Sequence, residues 1–477
     1  MINKLSTADN LSTDTIVFVD ENKKLLSSGF QHIQDVWQSV LNLQNHTDDI
    51  SLSSVHDFEH KRKIHFIQIK KLENSEAFNA GGKCANVSGK SDSIQIVLPN
   101  SDDSSNFLHD IILGFELGKY RFDKYRTKNK VKHKHSLTEC LWITNHNYQL
   151  LDDVHSISEG VNLCRSLVNE PGNHLTPSIF AQHIHKLTEH GIKVTILDEK
   201  EMSDHNMDAL LGVGRGSVEP SYLAIMEWNG LNDTSKPLAF VGKGVCFDTG
   251  GISLKPSKGM EEMKFDMGGA GCVTGLMKTL ALRKAKVNVI GVVALVENMP
   301  DGDAQKPGDV VTSMSGQTIE IQNTDAEGRL ILADALWYTQ KFYEPKFIID
   351  LATLTGAMIV SLGHEYAGFF SNSDNLSTKL HESGLATDEK VWRMPLDNAY
   401  DKLIDSDIAD IKNIGGPGAG SITAAQFLQR FIKPEYKWAH IDIAGTAWEY
   451  KGKTGTPKGA SGFGVRLLNQ LVAKYYE

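Results

Sequence analysis

Asn323-Thr324-Asp325-Ala326-Glu327-Gly328-Arg329-Leu330 sets two carboxylates two residues apart and an arginine two further on, where a loop runs into the apolar stretch 329–338. Acid, acid, base in that order is poor core material. One reading is a capped helix start, with Asn323, Thr324 or Asp325 as cap and Arg329 on a solvated face. The other is a chemical site. The octet alone leaves both open.

Upstream, Leu238 to Lys255 runs from an apolar strand into a glycine-bearing loop and carries Lys243, Asp248 and Lys255, with Asp266 following in Met263-Lys-Phe-Asp-Met-Gly-Gly-Ala. Three of these four charges sit in or beside apolar runs, where an unpaired charge costs several kcal/mol. They need partners, and the octet supplies them. Asp248, Asp266, Asp325 and Glu327 brought together would repel and take up protons unless cations sat among them. Two divalent ions balance four negative charges, and an oxygen-rich set with one lysine nitrogen suits Mn²⁺, Mg²⁺, Co²⁺ or Zn²⁺.

The stretches beginning Gly242-Lys-Gly-Val-Cys-Phe-Asp-Thr-Gly-Gly, Lys264-Phe-Asp-Met-Gly-Gly-Ala and Asn323-Thr-Asp-Ala-Glu-Gly-Arg-Leu resemble the leucyl (cytosol) aminopeptidase family of dinuclear metallopeptidases, whose signature octet is intact here. The resemblance is strong over residues 160–477 and holds only in outline over the first 150. It implies that Lys243, Asp248, Asp266, Asp325 and Glu327 hold two divalent metal ions, manganese or zinc foremost, about 3.5 Å apart and sharing a water. It implies further that Lys255 stabilises the oxyanion, and that Arg329, which cannot itself be a base, holds a bicarbonate that shuttles the proton. Met263, Thr353, Gly356, Ala444 and Ala447 would line the first side-chain pocket, and Asn323 would hold substrate backbone. With no charge among those pocket positions, apolar, leucine-like first residues of peptides are the expected substrates. A homohexamer with active sites turned to an interior cavity is also implied. Where relatives often carry threonine, this chain has Cys246, two residues before Asp248 and so on its face if the strand continues; the plainer reading is a small buried residue.

A formal net charge of −10 and a pI near 6.0 argue against a chain whose main business is binding nucleic acid. Its start lacks a signal-peptide apolar core, and no run approaches the roughly 20 apolar residues of a membrane span, so a cytoplasmic location is expected. Five cysteines, odd in number and without a C-x-x-C pair, fit reduced thiols and not a disulfide framework.

Residues 1–150 read as an N-terminal α/β domain with strands near 15–20, 63–69, 93–98 and 137–143 and helices near 30–43 and 104–122, an alternation that favours a parallel sheet. Asn79-Ala-Gly-Gly reads as a turn without chemistry. From Lys119 to Lys134 eight basic residues face one acid, Asp123; a solvated helix end running into a polar loop is preferred to a nucleic-acid patch. The competing function class, a nucleic-acid-binding or scaffolding protein on the same fold, rests on that run.

A linking helix over 151–168 ends at Asn169-Glu-Pro-Gly, and 169–477 form the larger catalytic domain. Its nearly continuous apolar strands, 191–197, 222–228, 238–241, 287–296, 347–352 and 438–444, suit a mostly parallel sheet covered by helices, with binding residues at strand ends. Other chemistries are absent. There is no H-E-x-x-H or G-x-S-x-G, His133/His135 and His183/His185 read as polar surface, and Gly452-Lys-Thr lacks the first phosphate-loop glycine, Ala447 standing there.

Overall fold

The computed structural model describes residues 2–6, 13–27, 31–43, 52–58, 61–71, 73–89, 91–99, 105–128, 137, 139–143 and 149–477. Two compact units divide the chain, Met1–Ser158 with Lys451–Pro457, and Glu159–Tyr450 with Lys458–Glu477.

In the first unit, strands β1 (Ile2–Ser6), β2 (Asp14–Val19), β3 (Leu52–Asp57), β4 (Arg62–Gln68), β5 (Ser93–Val97) and β6 (Glu139–Ile143) form one sheet in the order β1-β6-β5-β2-β4-β3. Every pairing is parallel except β3 with β4. The expected strands and helices are present; β3 escapes the sequence reading because this antiparallel edge is largely exposed. Helix α1 (Gln31–Leu43) lays Ile33 and Trp37 on Val17, Val19 and Phe66, the indole stacking on Phe66 at 4.4 Å.

Asn79-Ala-Gly-Gly is not a turn but lies inside α2 (Asn74–Ser88). Glycine weakens a helix by roughly 1 kcal/mol relative to alanine. Close packing on α3 (Ser105–Gly118) explains its presence: a Cβ on Gly81 would stand 1.9 Å from Ile111 O, and one on Gly114 2.0 Å from Phe78 O. Of the basic run, Lys119 pairs with Glu116 at the end of α3 and Arg121, Lys124, Arg126 and Lys128 follow in irregular chain. Lys130, Lys132, Lys134, His133 and His135 lie outside the described residues.

Helix α4 (Gln149–Asn169) begins in the first unit and ends in the second, stopped by Pro171. After it come α5 (Pro177–His185), β7 (Lys193–Leu197), α6 (Glu199–Asp204), α7 (Asp208–Gly214), β8 (Tyr222–Asn229), β9 (Leu238–Asp248), α8 (Gly268–Leu282) and β10 (Asn288–Asn298). Strands β11 (Val310–Thr312), β12 (Thr318–Glu320) and, later, β16 (Ile411–Lys412) make a small separate sheet. The main sheet resumes through α9 (Gly328–Tyr343), β13 (Ile348–Ala352), α10 (Gly356–Leu362), β14 (Ala367–Ser371), α11 (Asp374–Thr387), β15 (Val391–Arg393), α12 (Asn398–Asp401), α13 (Gly420–Gln429), β17 (Trp438–Asp442) and α14 (Val465–Tyr475).

Its eight strands run β15-β14-β17-β13-β9-β10-β8-β7. The central four are mutually parallel and antiparallel pairs stand outside them, giving the mixed, parallel-rich α/β sheet that the apolar runs suggested. Central strands β13 and β17 are buried throughout, as both faces are covered. On one face Ala239, Val241 and Val245 of β9 join the core of α7, α9 and α13. On the other, α8 approaches so closely that a Cβ on Gly242 would lie 2.7 Å from Ala270 Cα, and one on Gly269 2.0 Å from Leu351 O. The five cysteines are all buried and free. Among the described residues no helix is long and apolar enough to cross a membrane.

Candidate metal centre

Strand β13 ends level with Lys243 of β9, which runs on to Asp248, and the chain after each strand supplies further residues of the site. Lys243 and Asp248 lie five residues apart on β9, which in a regular strand would put them on opposite faces. A bulge removes the conflict. Val245 pairs with Val296 and Asp248 with Asn298, so three residues of advance on β9 match two on β10, and the extra residue shifts the phase. Both side chains therefore reach one cavity of about 560 Å³, along with Lys255, Asp266, Asp325, Glu327 and Arg329.

Within it the charges alternate. Lys243 Nζ lies 2.7 Å from Asp266 Oδ2 and 2.9 Å from Glu327 Oε1, and donates to Thr353 O at 2.8 Å. Lys255 Nζ lies 2.7 Å from Asp248 Oδ2 and contacts Asp325 Oδ1. Thr353 Oγ1 donates to Asp266 Oδ1 at 2.8 Å, and Asn298 Nδ2 to Asp248 Oδ1 at 2.8 Å.

Burial and mutual repulsion act on the carboxylates as the sequence suggested. Burial, then the charge of Glu327, pushes Asp248 up to about 6, and burial raises Asp266 and Asp325 against the pull of the lysines. Glu327 is the exception: burial raises it too, but Lys243 and Lys255 outweigh burial and hold it below the usual range. Both lysines are disfavoured by burial yet held above the ordinary lysine range by these carboxylates.

With its four carboxylates ionised against two ammoniums, the cluster carries two negative charges in excess. Oxygens of Asp266, Asp325 and Glu327 are buried without a well-formed hydrogen bond, the first two facing a lysine ammonium. One oxygen each from Asp248, Asp325 and Glu327 lie within 4.8 Å of one another, the scale of a cation's coordination shell. Surplus negative charge, a buried Glu327 oxygen without a hydrogen bond, and lysines already standing among the hard oxygen donors fit divalent cations. Asp266 is outside that trio, its Oδ2 2.7 Å from Lys243 Nζ.

The octet is not a capped helix start. Glu327 precedes α9 without a side-chain cap, and Asn323 Oδ1 accepts from Asp325 N–H at 2.9 Å within the loop. Arg329 is buried, not solvated; Nη1 donates to Asn413 O at 2.7 Å and Nε has no partner. Burial lowers its pKa to about 10, which still leaves it charged at neutral pH.

Met263, Asn323, Thr353, Gly356 and Ala444 also line the cavity. Ala447 is not among the lining residues: its N–H bonds to Ile443 O at 2.9 Å, and this turn carries it back beside Gly268. Nor is Cys246. It keeps the phase of Gly242 and Gly244, and the bulge separates that phase from Asp248. Wholly buried, its thiol is pushed up by desolvation and by Glu297 and Glu219, so the plainer packing reading applies.

Three residues of the site carry no signal in the sequence. Asn298 bridges Asp248 and Thr324 O. Asn413 accepts from Gln322 and Asn323 N–H and donates to Asn323 O at 2.6 Å, bracing the octet loop. Asp442 ties two loops of the cavity wall. All three are polar residues at strand ends with ordinary surroundings in the sequence, and only their burial marks them.

Residues 162–469 match the cytosol aminopeptidase family, catalytic domain. A probable cytosol aminopeptidase of Brucella melitensis is 51% identical over 414 residues, 85% of each chain, and one of Caulobacter vibrioides is 58% identical over 370, covering 76% of this chain and 75% of the relative. Among solved structures, the bottromycin maturation enzyme BotP in complex with Mn superposes with a TM-score of 0.86 at 27% identity, over 98% of this chain and all of that one. With an intact charged centre at the strand ends and relatives aligned over most of its length, the chain belongs to the cytosol aminopeptidase family.

Proposed function

We propose that this aminopeptidase is a divalent-metal enzyme of the leucyl type, releasing apolar first residues from peptides. The observation that carries the reading is the convergence of Lys243, Asp248, Asp266, Asp325 and Glu327 with Lys255 and Arg329 in one cavity. The five would hold the ions; manganese or zinc suits the donor set, and the manganese named with the bottromycin enzyme supports the former. Bound there, divalent ions supply Lewis acidity toward an amide carbonyl, a free amino group and water.

What the chain's own groups contribute follows from their charge. In its protonated form, which the surrounding carboxylates favour, Lys255 can donate to an oxygen that gains charge as the peptide bond is attacked, a role worth roughly 3 kcal/mol in comparable sites. Arg329 also keeps its proton, so it acts as a donor and an anchor. Its partnerless Nε is a donor for a small oxyanion; a bicarbonate held there would supply the proton carrier that the guanidinium cannot be. The side-chain carbonyl of Asn323 is already bound to Asp325 N–H, so it would offer a substrate backbone its Nδ2 donors.

The wall formed by Met263, Thr353, Gly356 and Ala444 carries no charge, and nothing lies within 4 Å of where a Cβ of Gly356 would be. That shape and polarity suit leucine or methionine. Chelation followed by dialysis should abolish hydrolysis of leucyl amide, added manganese or zinc should restore it, and N-acetyl-leucyl amide should be inert throughout. Full activity of protein verified free of metal, or equal cleavage of the acetylated substrate, would sink the proposal.

A further inference from the structure

Strand β17 ends at Asp442, level with Ala352 at the end of β13, and Ile443 N–H donates to Ala352 O at 2.8 Å to extend the ladder by one bond. Beyond that rung the two chains part, one into Thr353-Leu354-Thr355 and α10, the other into Ile443-Ala444. Each loop forms part of the cavity wall. Asp442 is fully buried, and its carboxylate spans the gap between them. Oδ1 accepts from Leu354 N–H and Ala444 N–H, both at 3.1 Å, and Oδ2 accepts from Thr355 Oγ1 at 2.6 Å. Thr355 Oγ1 accepts in turn from Met358 N–H at 3.2 Å, capping α10. One side chain thus fixes three segments at once.

We infer that Asp442 is a positioning residue that sets the width of the first side-chain pocket, and with it the discrimination between leucine-sized and smaller first residues. The inference rests on the reading that this wall receives an apolar first side chain. Leucine and alanine differ by three carbons, and each methylene an apolar pocket grips well is worth roughly tenfold or more in specificity. Such a grip requires both loops to hold their separation. Removing the carboxylate leaves two part-buried N–H groups and the buried Thr355 hydroxyl without this acceptor, and the loops relax toward new partners. Asparagine is a conservative replacement: its carbonyl can keep both backbone bonds, while its Nδ2 can donate to Thr355 Oγ1, reversing that bond.

The test compares kcat/KM for leucyl and alanyl amide in the metal-loaded wild type, Asp442→Ala and Asp442→Asn, with bound metal measured in each. Asp442→Ala should lower the leucine-to-alanine ratio by about tenfold or more, chiefly through a raised KM for leucine, with metal content as in wild type. Asp442→Asn should stay within about threefold of the wild-type ratio. Should Asp442→Ala fail to fold, Thr355→Val, which loses the Oδ2 bond but keeps its shape, should move the ratio the same way. An unchanged ratio in the variant that folds, or a ratio that falls only in step with lost metal, overturns the inference. A wild type that cleaves neither amide defeats the underlying functional reading instead.

Discussion

Lys243 occupies the middle of the centre, its ammonium between Asp266 and Glu327, and those charges hold its proton more tightly than usual. A lysine ligates metal only when neutral. If Lys243 is a ligand, loading the site must expel that proton, so affinity for manganese or zinc should rise with pH by about tenfold per unit for each proton displaced. The sign is set by the shift: a pKa above the ordinary lysine range means the proton is present throughout neutral pH and competes with the metal. Calorimetry at pH 8 in two buffers of different ionisation enthalpy should report about one proton released per chain that is absent in Lys243→Met. Equal release from both proteins would remove Lys243 from the ligand set. Near pH 6, Asp248 adds a second competing proton and should steepen the dependence.

Among the elements, α9 both begins at the octet and braces the core behind it. Its Asp334, fully buried, accepts from Met314 N–H at 2.8 Å and from Leu210 N–H at 2.9 Å near the start of α7. Burial pushes this carboxyl up to about 7 although both N–H groups oppose it. A raised carboxyl pKa means that the fold favours the neutral form. Its contribution is fully present below the unfolded value near 4 and is lost as pH rises through about 7. The stability of Asp334→Asn relative to wild type should therefore increase between pH 4 and pH 7.5, by at most about 4 kcal/mol. Urea midpoints across that range check it, and a constant difference would show that Asp334 does not titrate there. At this scale the sequence was partly legible. The apolar runs of β9, β10, β13 and β17 announced a covered sheet, whereas the bulge at Cys246 and Phe247 did not appear, because an extra residue in one strand is defined only by its partner strand. The glycines of α2 misled for a related reason: Gly81 serves α3, which lies well beyond it in the chain.

Over the whole molecule, the legible part of the site is the part carried by unusual residue combinations. Charges inside apolar runs stand out in sequence because they demand partners, and Lys243, Asp248, Asp266, Asp325 and Glu327 do meet in one cavity. Asn298, Asn413 and Asp442 do not stand out, since a polar residue at a strand end is commonplace until packing buries it. The central claim is that these carboxylates bind metal and that the bound metal is needed for turnover. Its most direct test is metal content and leucyl amide hydrolysis measured on the same preparations of wild type, Asp325→Asn and Glu327→Gln, with circular dichroism to verify the fold. The account predicts two ions per chain in the active wild type, and fewer ions with turnover lost in each folded variant. Near-normal activity with a full complement of metal in either variant would contradict it.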